Sequence, residues 1–330
     1  MKNLLNGCII FGLMLISLTP AFSDQTRDKV VSYRDYGAVG DGVTDDFDAI
    51  CKAHAAANQT GATVCAESGA TYYIGKSDRT ATIQTNTDWK DAKFIIDDTK
   101  VGPRHPHIFI VSSKLASSNI STVKTIKKNQ AKLDVSLPYR SLVIVLDKTV
   151  KRYIRYGANQ NNGTAQTDVF LLGTTGEVDP QTPVIWDFDK VTSMTAIPID
   201  PDTLTITGGH FTTIANQAES RYTYYKRGIN ITRSNVVLDG ITHQVTQELD
   251  HGAPYNGFFS IFKCADIVVQ NCKLSGHKTY YTIGSAGRGV SMGSYDISVY
   301  SSINVTFRNC SQFNSIHDTT YWGIFGSNFS

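Results

Sequence analysis

Four short segments in the last third of the chain share one form: LTITGGHF (204–211), VVLDGITH (236–243), IVVQNCKL (267–274) and VTFRNCSQF (305–313). Each sets two apolar residues two positions apart, then a polar residue, then Gly208, Gly240, Asn271 or Asn309. Glycine and asparagine accept positive φ at least cost, so each segment reads as a short strand ending in a left-handed turn. The turn positions fall 32, 31 and 38 residues apart. A repeat of that length means stacked coils, each unable to bury its apolar face until the next lies on it.

The segments before these align as well. GFFSIFKCAD, YDISVYSS and the terminal WGIFGSNFS place Phe259, Ile297 and Trp322 in one inward column, and Ile261, Val299 and Ile324 in the next. The residues between them are then expected to face out. Phe258, Asp296 and Tyr321 form one outward column, Ser260, Ser298 and Gly323 a second, and Phe262, Tyr300 and Phe325 a third. Successive coils should lie about 4.8 Å apart. Ser330 follows directly on a strand, which would leave an open edge and an uncovered core, so the chain reads as truncated at its C-terminus.

Composition narrows the partners. Lys and Arg number 31 against 29 Asp and Glu with no block of one sign, so nothing points to nucleic acid or an acidic membrane surface. Lys124, Lys127, Lys128 and Lys132 read as a solvated face. Met1–Ser23, with one lysine, an apolar run and a small-x-small end, reads as a signal peptide, which makes residues 24–330 a secreted or periplasmic domain. No later segment qualifies as a membrane span. Without Cys8 five cysteines remain, an odd number with no CxxC pair and no metal spacing; they read as buried thiols, with a Cys51–Cys65 bridge as the alternative. Residues 148–200 break the repeat with KRYIRYGANQ, TDVFLL and TPVIWDF between turn-rich stretches, the signature of a β-rich hairpin insertion.

The start of the mature chain, DYGAVGDGVTDDFDAI, is a Gly/Asp-rich turn running into a helix expected near residues 46–58, with Asp45 and Asp46 at its N-terminus and Ile50, Ala53 and Ala57 at helical spacing. GATVCAESGATYYIG follows with strand-like alternation. Together these resemble the N-terminal signature of the pectate-lyase-like family of right-handed parallel β-helix proteins, which includes rhamnogalacturonase- and epimerase-like domains and many phage tailspikes. Gly37, Ala38, Gly40, Asp41, Gly42, Thr44, Asp45, Asp46, Gly61, Val64, Gly69 and Tyr72 or Tyr73 carry the resemblance. It implies an all-β, right-handed parallel β-helix whose first coil is capped by a short N-terminal α-helix. Carboxylates at a helix start need no ligand to explain them, so capping is preferred to a calcium or substrate site in this cluster.

The resemblance also implies polysaccharide binding along the strand that precedes the first turn of each coil, flanked by loops 242–256, 275–294 and 311–320. Those loops carry Asp250 and His251, then His277, Lys278 and Arg288, then His317 and Asp318, while Asp296 stands on the strand itself. Glycoside hydrolysis needs one protonated and one ionised carboxyl about 5 to 9.5 Å apart, a separation that one or two coils supply. Asp296 and Asp318 are the leading pair and Asp250 the third candidate, with His317 or His251 to tune them or orient water. Tyr300, Tyr321, Trp322 and Phe262 would form the sugar-stacking surface, helped by His251, His277, Lys278 and Arg288; a plain stabilising stack is the alternative for the rings. Asp250 and Asp318 serve equally well as turn carboxylates, and Asp239 and Asp266 read as structural. A lyase would instead need a strong base and cations such as Lys278, Arg288 or Arg308 over a uronate. The N-T-D, G-H-G and R-I-K motifs carried by polygalacturonases of this fold are read as lacking, so pectin hydrolysis of that type is not expected, and no acidic cluster resembling a pectate-lyase calcium site and no cofactor motif is expected. Because the fold hosts hydrolases, lyases, epimerases and non-catalytic adhesins, it does not choose among them. Related spikes form homotrimers, although no residue pattern here encodes one, and a signal peptide fits an adhesin better than a virion tailspike.

Overall fold

The computed structural model describes residues 29–313 apart from 76–77, 103–105, 153–162, 219–223, 250–251, 276–279, 284–288 and 293–294. A single turn of the coil shows the plan. Ile229–Ile231 lies in one sheet (sheet I), Val236–Asp239 in a second (sheet II) and Thr242–Thr246 in a third (sheet III), before the chain returns to sheet I as Asn256–Phe262. Every neighbour within these three sheets is parallel, and among the described residues they hold five, seven and seven strands. The molecule is a right-handed parallel β-helix.

Registers convert the repeat into columns. Ala81, Phe109, Ile229, Phe259 and Ile297 stack in sheet I, beside Ile83, Val111, Ile231, Ile261 and Val299. In sheet II, Ile206, Leu238 and Val269 continue one row, and all of these side chains are buried. Full burial of each valine, leucine, isoleucine or phenylalanine among them is worth roughly 1.5–3 kcal/mol, which a lone coil of short strands could not collect. The turn from sheet II to sheet III is left-handed in each coil, with φ of 69° at Gly208, 71° at Gly240, 55° at Asn271 and 50° at Asn309. The asparagines also bond between coils: Asn271 Nδ2 donates to Asp239 Oδ1 at 2.7 Å, and Asn309 Nδ2 to Asn271 Oδ1 at 3.4 Å. Asp239 is thereby structural. So is Asp266, which accepts from Arg140 and from Asn304 Nδ2.

The helix runs Phe47–Thr60 and buries Phe47, Ile50, Ala53, His54 and Ala57 against the first coil. Its start differs from the expectation. Asp46 occupies the N-cap, but its carboxylate accepts from the amides of Val39 and Gly40 behind it, so it clamps the turn rather than the helix. Asp45 is the residue that reaches the first helical amide, that of Phe47, at 3.1 Å. Behind the helix, Trp89 Nε1 donates to Tyr33 Oη at 2.7 Å, leaving the Tyr33 hydroxyl proton for His54 Nε2 at 2.9 Å. Among the described residues the cysteines are free thiols: Cys264 and Cys272 are buried, Cys51 and Cys65 half-buried, and Cys310 exposed.

The insertion leaves after Phe109–Val111 and returns at Leu204–Thr207, so it starts well before residue 148. Ser141–Lys151 is its central strand, antiparallel to both Ala165–Leu172 and Ser193–Pro198. One face of this sheet covers its own core around Phe170, Phe188 and Val143; the other, through Leu142, Ile144 and Leu171, packs on Ala265 and Ile303 of the coil. Because both faces are covered, LVIVL (142–146) is continuously apolar and lacks the alternation that marks a one-sided strand. Among the described residues no helix is long and apolar enough to cross a membrane.

At Gly208 an added Cβ would meet the Lys90 carbonyl oxygen at 2.1 Å, whereas at Gly240 its nearest neighbour is 3.9 Å away. Gly240→Ala should therefore cost only the left-handed strain, about 1–3 kcal/mol, and Gly208→Ala distinctly more in urea unfolding. Burial holds His54 neutral, with a pKa of about 3, against about 6.5 unfolded. Between those values the unfolded chain binds a proton that the folded chain refuses, so stability falls as pH falls, by up to about 1.4 kcal/mol per pH unit. His54→Leu should flatten that slope between pH 6 and pH 4.

Candidate functional site

Sheet I is the face that the long loops enter. Segments 98–108, 215–228, 247–255 and 276–294 all lead from sheet III into it. Its outward row is Thr82, Ile110, Asn230, Ser260 and Ser298, each registered on the next. Beside this row Phe262 and Tyr300 stack nearly parallel, ring centroids 5.5 Å apart at 15°, with Tyr300 39% exposed. Lys263 Nζ lies 5.0 Å from the Phe262 ring centre. Hydroxyls, an amide and an aromatic pair thus share one accessible strip. Among the described residues this strip presents no carboxylate.

Asp296 is the reason. Expected on the outward row, it is buried at 5% exposure, and so is Phe258 at 4%. Asn256 pairs with Tyr295 but Phe259 with Ile297, so Asn256–Phe262 carries one extra residue at Gly257–Phe258. That bulge breaks the alternation and turns Phe258 inward, where it stacks on the His243 ring at 3.9 Å and 6°. Asp296 reaches the same corner and bonds to Gln312 Nε2. Gln312 belongs to the inward column of sheet III, which runs Phe94, Phe211, His243, Leu274, Gln312. The column turns polar toward the C-terminus, and that polar end is what accommodates a buried carboxyl. Asp296 is thus buried at this corner rather than standing on the outward row, and Asp318, its expected partner, lies outside the described residues.

The same corner holds the principal buried charges. Arg227 Nε donates to Asp98 Oδ1 at 2.7 Å, with Asp98 wholly buried and Arg227 at 2% exposure. Arg227 also donates to the Pro106 carbonyl at 3.0 Å. Burial pushes the Asp98 carboxyl up to about 6, against the opposing pull of Arg227. Tyr255 faces this pair, and its hydroxyl accepts the Asn216 amide at 3.0 Å.

Of the other expected site residues, Tyr300 and Phe262 are brought together as described. Asp250, His251, His277, Lys278, Arg288, His317, Asp318, Tyr321 and Trp322 lie outside the described residues. Arg308 is exposed at the end of a sheet II strand, away from sheet I. The triplet Asn86-Thr87-Asp88 does spell N-T-D, but it lies at sheet II, with Thr87 buried and Asp88 accepting the Thr207 hydroxyl. Two open clefts of about 420 Å³ each were not anticipated. One lies on the outer face of sheet III, over Lys93, His210, Thr212 and Gln244; the other lies where the insertion joins the coil. Among the described residues no group of three or more His, Cys, Asp or Glu is placed to hold a metal ion.

No protein-family model and no curated protein matches the chain. Solved structures do. The tailspike of Pseudomonas phage phi297 is 11% identical with a TM-score of 0.48, over 86% of this chain and 56% of that one. The tailspike of Acinetobacter baumannii bacteriophage AP22, solved with capsular saccharide, is 10% identical with a TM-score of 0.35, over 86% and 58%. Endo-xylogalacturonan hydrolase from Aspergillus tubingensis is 12% identical with a TM-score of 0.30, over 85% and 58%. The chain therefore spans less than two thirds of each of these proteins. None of these likenesses assigns a reaction.

The buried ion pair yields a direct test. Arg227→Met leaves Asp98 without its partner in the interior and should cost about 3–5 kcal/mol at pH 7 in urea unfolding. The double variant Asp98→Leu with Arg227→Met should lose less than the single one.

Proposed function

We propose that this chain binds a polysaccharide along the outer face of sheet I. The observation that carries the reading is the Phe262–Tyr300 stack, half-buried at Phe262 and exposed at Tyr300, beside the row Asn230, Ser260 and Ser298. Aromatic faces suit the C–H faces of sugar rings, and amide and hydroxyl groups serve sugar hydroxyls as both donors and acceptors. Parallel strands repeat such groups about every 4.8 Å, which suits an extended polymer better than a small compact ligand.

The finer proposal is hydrolysis within that polysaccharide. With Asp296 buried, Asp250 and Asp318 are the carboxyls we favour as acid and base, on loops that the sequence places beside sheet I, with His251 or His317 as neighbours. Export through the leader-like Met1–Ser23 accords with a substrate outside the cell.

The test is a panel of bacterial capsular and plant cell-wall polysaccharides, with affinity measured and products weighed. Binding is expected, and Phe262→Ala and Tyr300→Ala should each weaken it about 2- to 10-fold, the worth of one aromatic stack. Cleavage products should gain one water per cut, and Asp250→Asn or Asp318→Asn should lower turnover by about 10²–10⁴ without loss of binding. Unsaturated products lacking that water would replace hydrolysis with elimination, and binding without cleavage would reduce the function to adhesion. Wild-type affinity in both aromatic variants, or no binding across the panel, would overturn the sheet I reading.

A further inference from the structure

The open cleft on the outer face of sheet III measures about 420 Å³, within the range of about 300–1,000 Å³ typical of ligand sites. Three strands in register form its floor: Lys93–Asp97, His210–Ile214 and Thr242–Thr246. Side chains alternate along each strand, so every second residue faces out. Lys93, His210 and Thr242 make one outward row, and Ile95, Thr212 and Gln244 make the next.

The charge of this cleft is one-sided. No carboxylate lines it among the described residues, although the chain carries 29 acidic residues against 31 basic ones. The carboxylates at its margin are already engaged. Asp97 accepts from the Tyr73 hydroxyl at 2.5 Å and the Thr99 hydroxyl at 2.7 Å, and Asp91 accepts from the Ser68 hydroxyl at 2.6 Å and the Gly69 amide at 3.0 Å. Lys93 is exposed and has no ion-pair partner among the described residues. His210 is exposed beside it, and its Nδ1 bonds the Thr242 hydroxyl at 2.8 Å, which fixes the ring and leaves Nε2 uncommitted. Gln244 Nε2 donates to Thr212 Oγ1 at 3.2 Å, so the Thr212 proton and Gln244 Oε1 stay open to a ligand. Half-buried Ile95 and Ile214 give the cleft an aliphatic floor.

These groups are the complement of an acidic sugar polymer. An unpaired cation attracts its acid groups, hydroxyls and a carboxamide match its own hydroxyls as donors and acceptors, and isoleucine side chains accept its C–H faces. An acidic polypeptide fits less well, because a bound strand needs an open sheet edge. These three strands have none: sheet III continues on both sides of them, through Thr71–Ile74 and Lys273–Ser275. We infer that the outer face of sheet III is a second binding surface, for a glycan bearing carboxylate or sulfate groups, held by Lys93, His210, Thr212 and Gln244. It lies on a different sheet from the Phe262–Tyr300 strip and stands whether or not sheet I binds a polysaccharide.

The experiment is titration calorimetry on the full chain with oligomers of galacturonate and mannuronate, a sulfated galactan oligomer, the neutral carboxyl-reduced or unsulfated form of each, and polyglutamate. At least one acidic oligosaccharide should bind, and its identity tells carboxylate from sulfate. Its neutral form should bind about tenfold more weakly, or worse, for want of a charge-assisted hydrogen bond. Lys93→Gln and Gln244→Ala alter exposed side chains, so melting curves should not change, and each should weaken binding about threefold or more, the worth of one hydrogen bond partly open to water. No binding by any acidic oligosaccharide, wild-type affinity in either variant, or equal affinity for the neutral form would each overturn the inference. Polyglutamate bound as tightly as the best sugar would reduce the recognition to charge alone and also reject it. If Phe262→Ala and Tyr300→Ala abolish the binding while Lys93→Gln does not, the acidic glycan sits on sheet I and this surface is rejected.

Discussion

A coil of short strands buries nothing until the next coil lands on it in register, and every other feature of the molecule answers to that constraint. A slip of one residue would turn a column such as Phe109, Ile229, Phe259 and Ile297 from inside to outside. The left-handed corners at Gly208, Gly240, Asn271 and Asn309 prevent it by ending each sheet II strand at the same phase. The side-chain bonds from Asn271 to Asp239 and from Asn309 to Asn271 then tie one corner to the next. Among the described residues no layer precedes the first coil, and the apolar face of Phe47–Thr60 covers it.

What the sequence reveals follows from which of these devices leaves a periodic mark. Strand alternation and positive-φ residues do, which is why the repeat and the inward columns of sheet I are legible without coordinates. A bulge does not. One extra residue at Gly257–Phe258 moves Phe258 inward, and no local pattern distinguishes it from an ordinary outward position. The burial of Asp296 is illegible for a related reason: its bond partner Gln312 lies sixteen positions away on another sheet. The insertion's central strand is hidden by the opposite effect, since SLVIVLD is covered on both faces and shows no alternation. The direction of the Asp46 carboxylate was equally hidden, because cap and turn residues share one composition and only the backbone decides which amides they meet.

The loops that enter sheet I have no repeat to hold them, and a different interaction takes over there. Asp98 begins the first of these loops and Pro106 lies near its end; Arg227, near the end of the second loop, bonds to both. Asn216 begins that second loop and bonds the backbone of Ala253 in the third, through both its amide group and its carbonyl oxygen, while its own backbone amide donates to Tyr255. One buried polar network therefore fastens three successive loops to one another at their roots.

Apolar contacts could not do this as selectively. A hydrophobic side chain accepts many neighbours, whereas a buried guanidinium or carboxamide is satisfied only when particular acceptors arrive in particular directions, and it is costly otherwise. The strip bearing Phe262 and Tyr300 is flat and repetitive, so its walls must supply whatever selectivity it has for one polymer over another. Those walls are the loops that the Asp98–Arg227–Asn216 network holds in step. On the proposed polysaccharide reading, selectivity at sheet I would be set by charges and amides in the interior, a few residues below the point where the loops leave the coil.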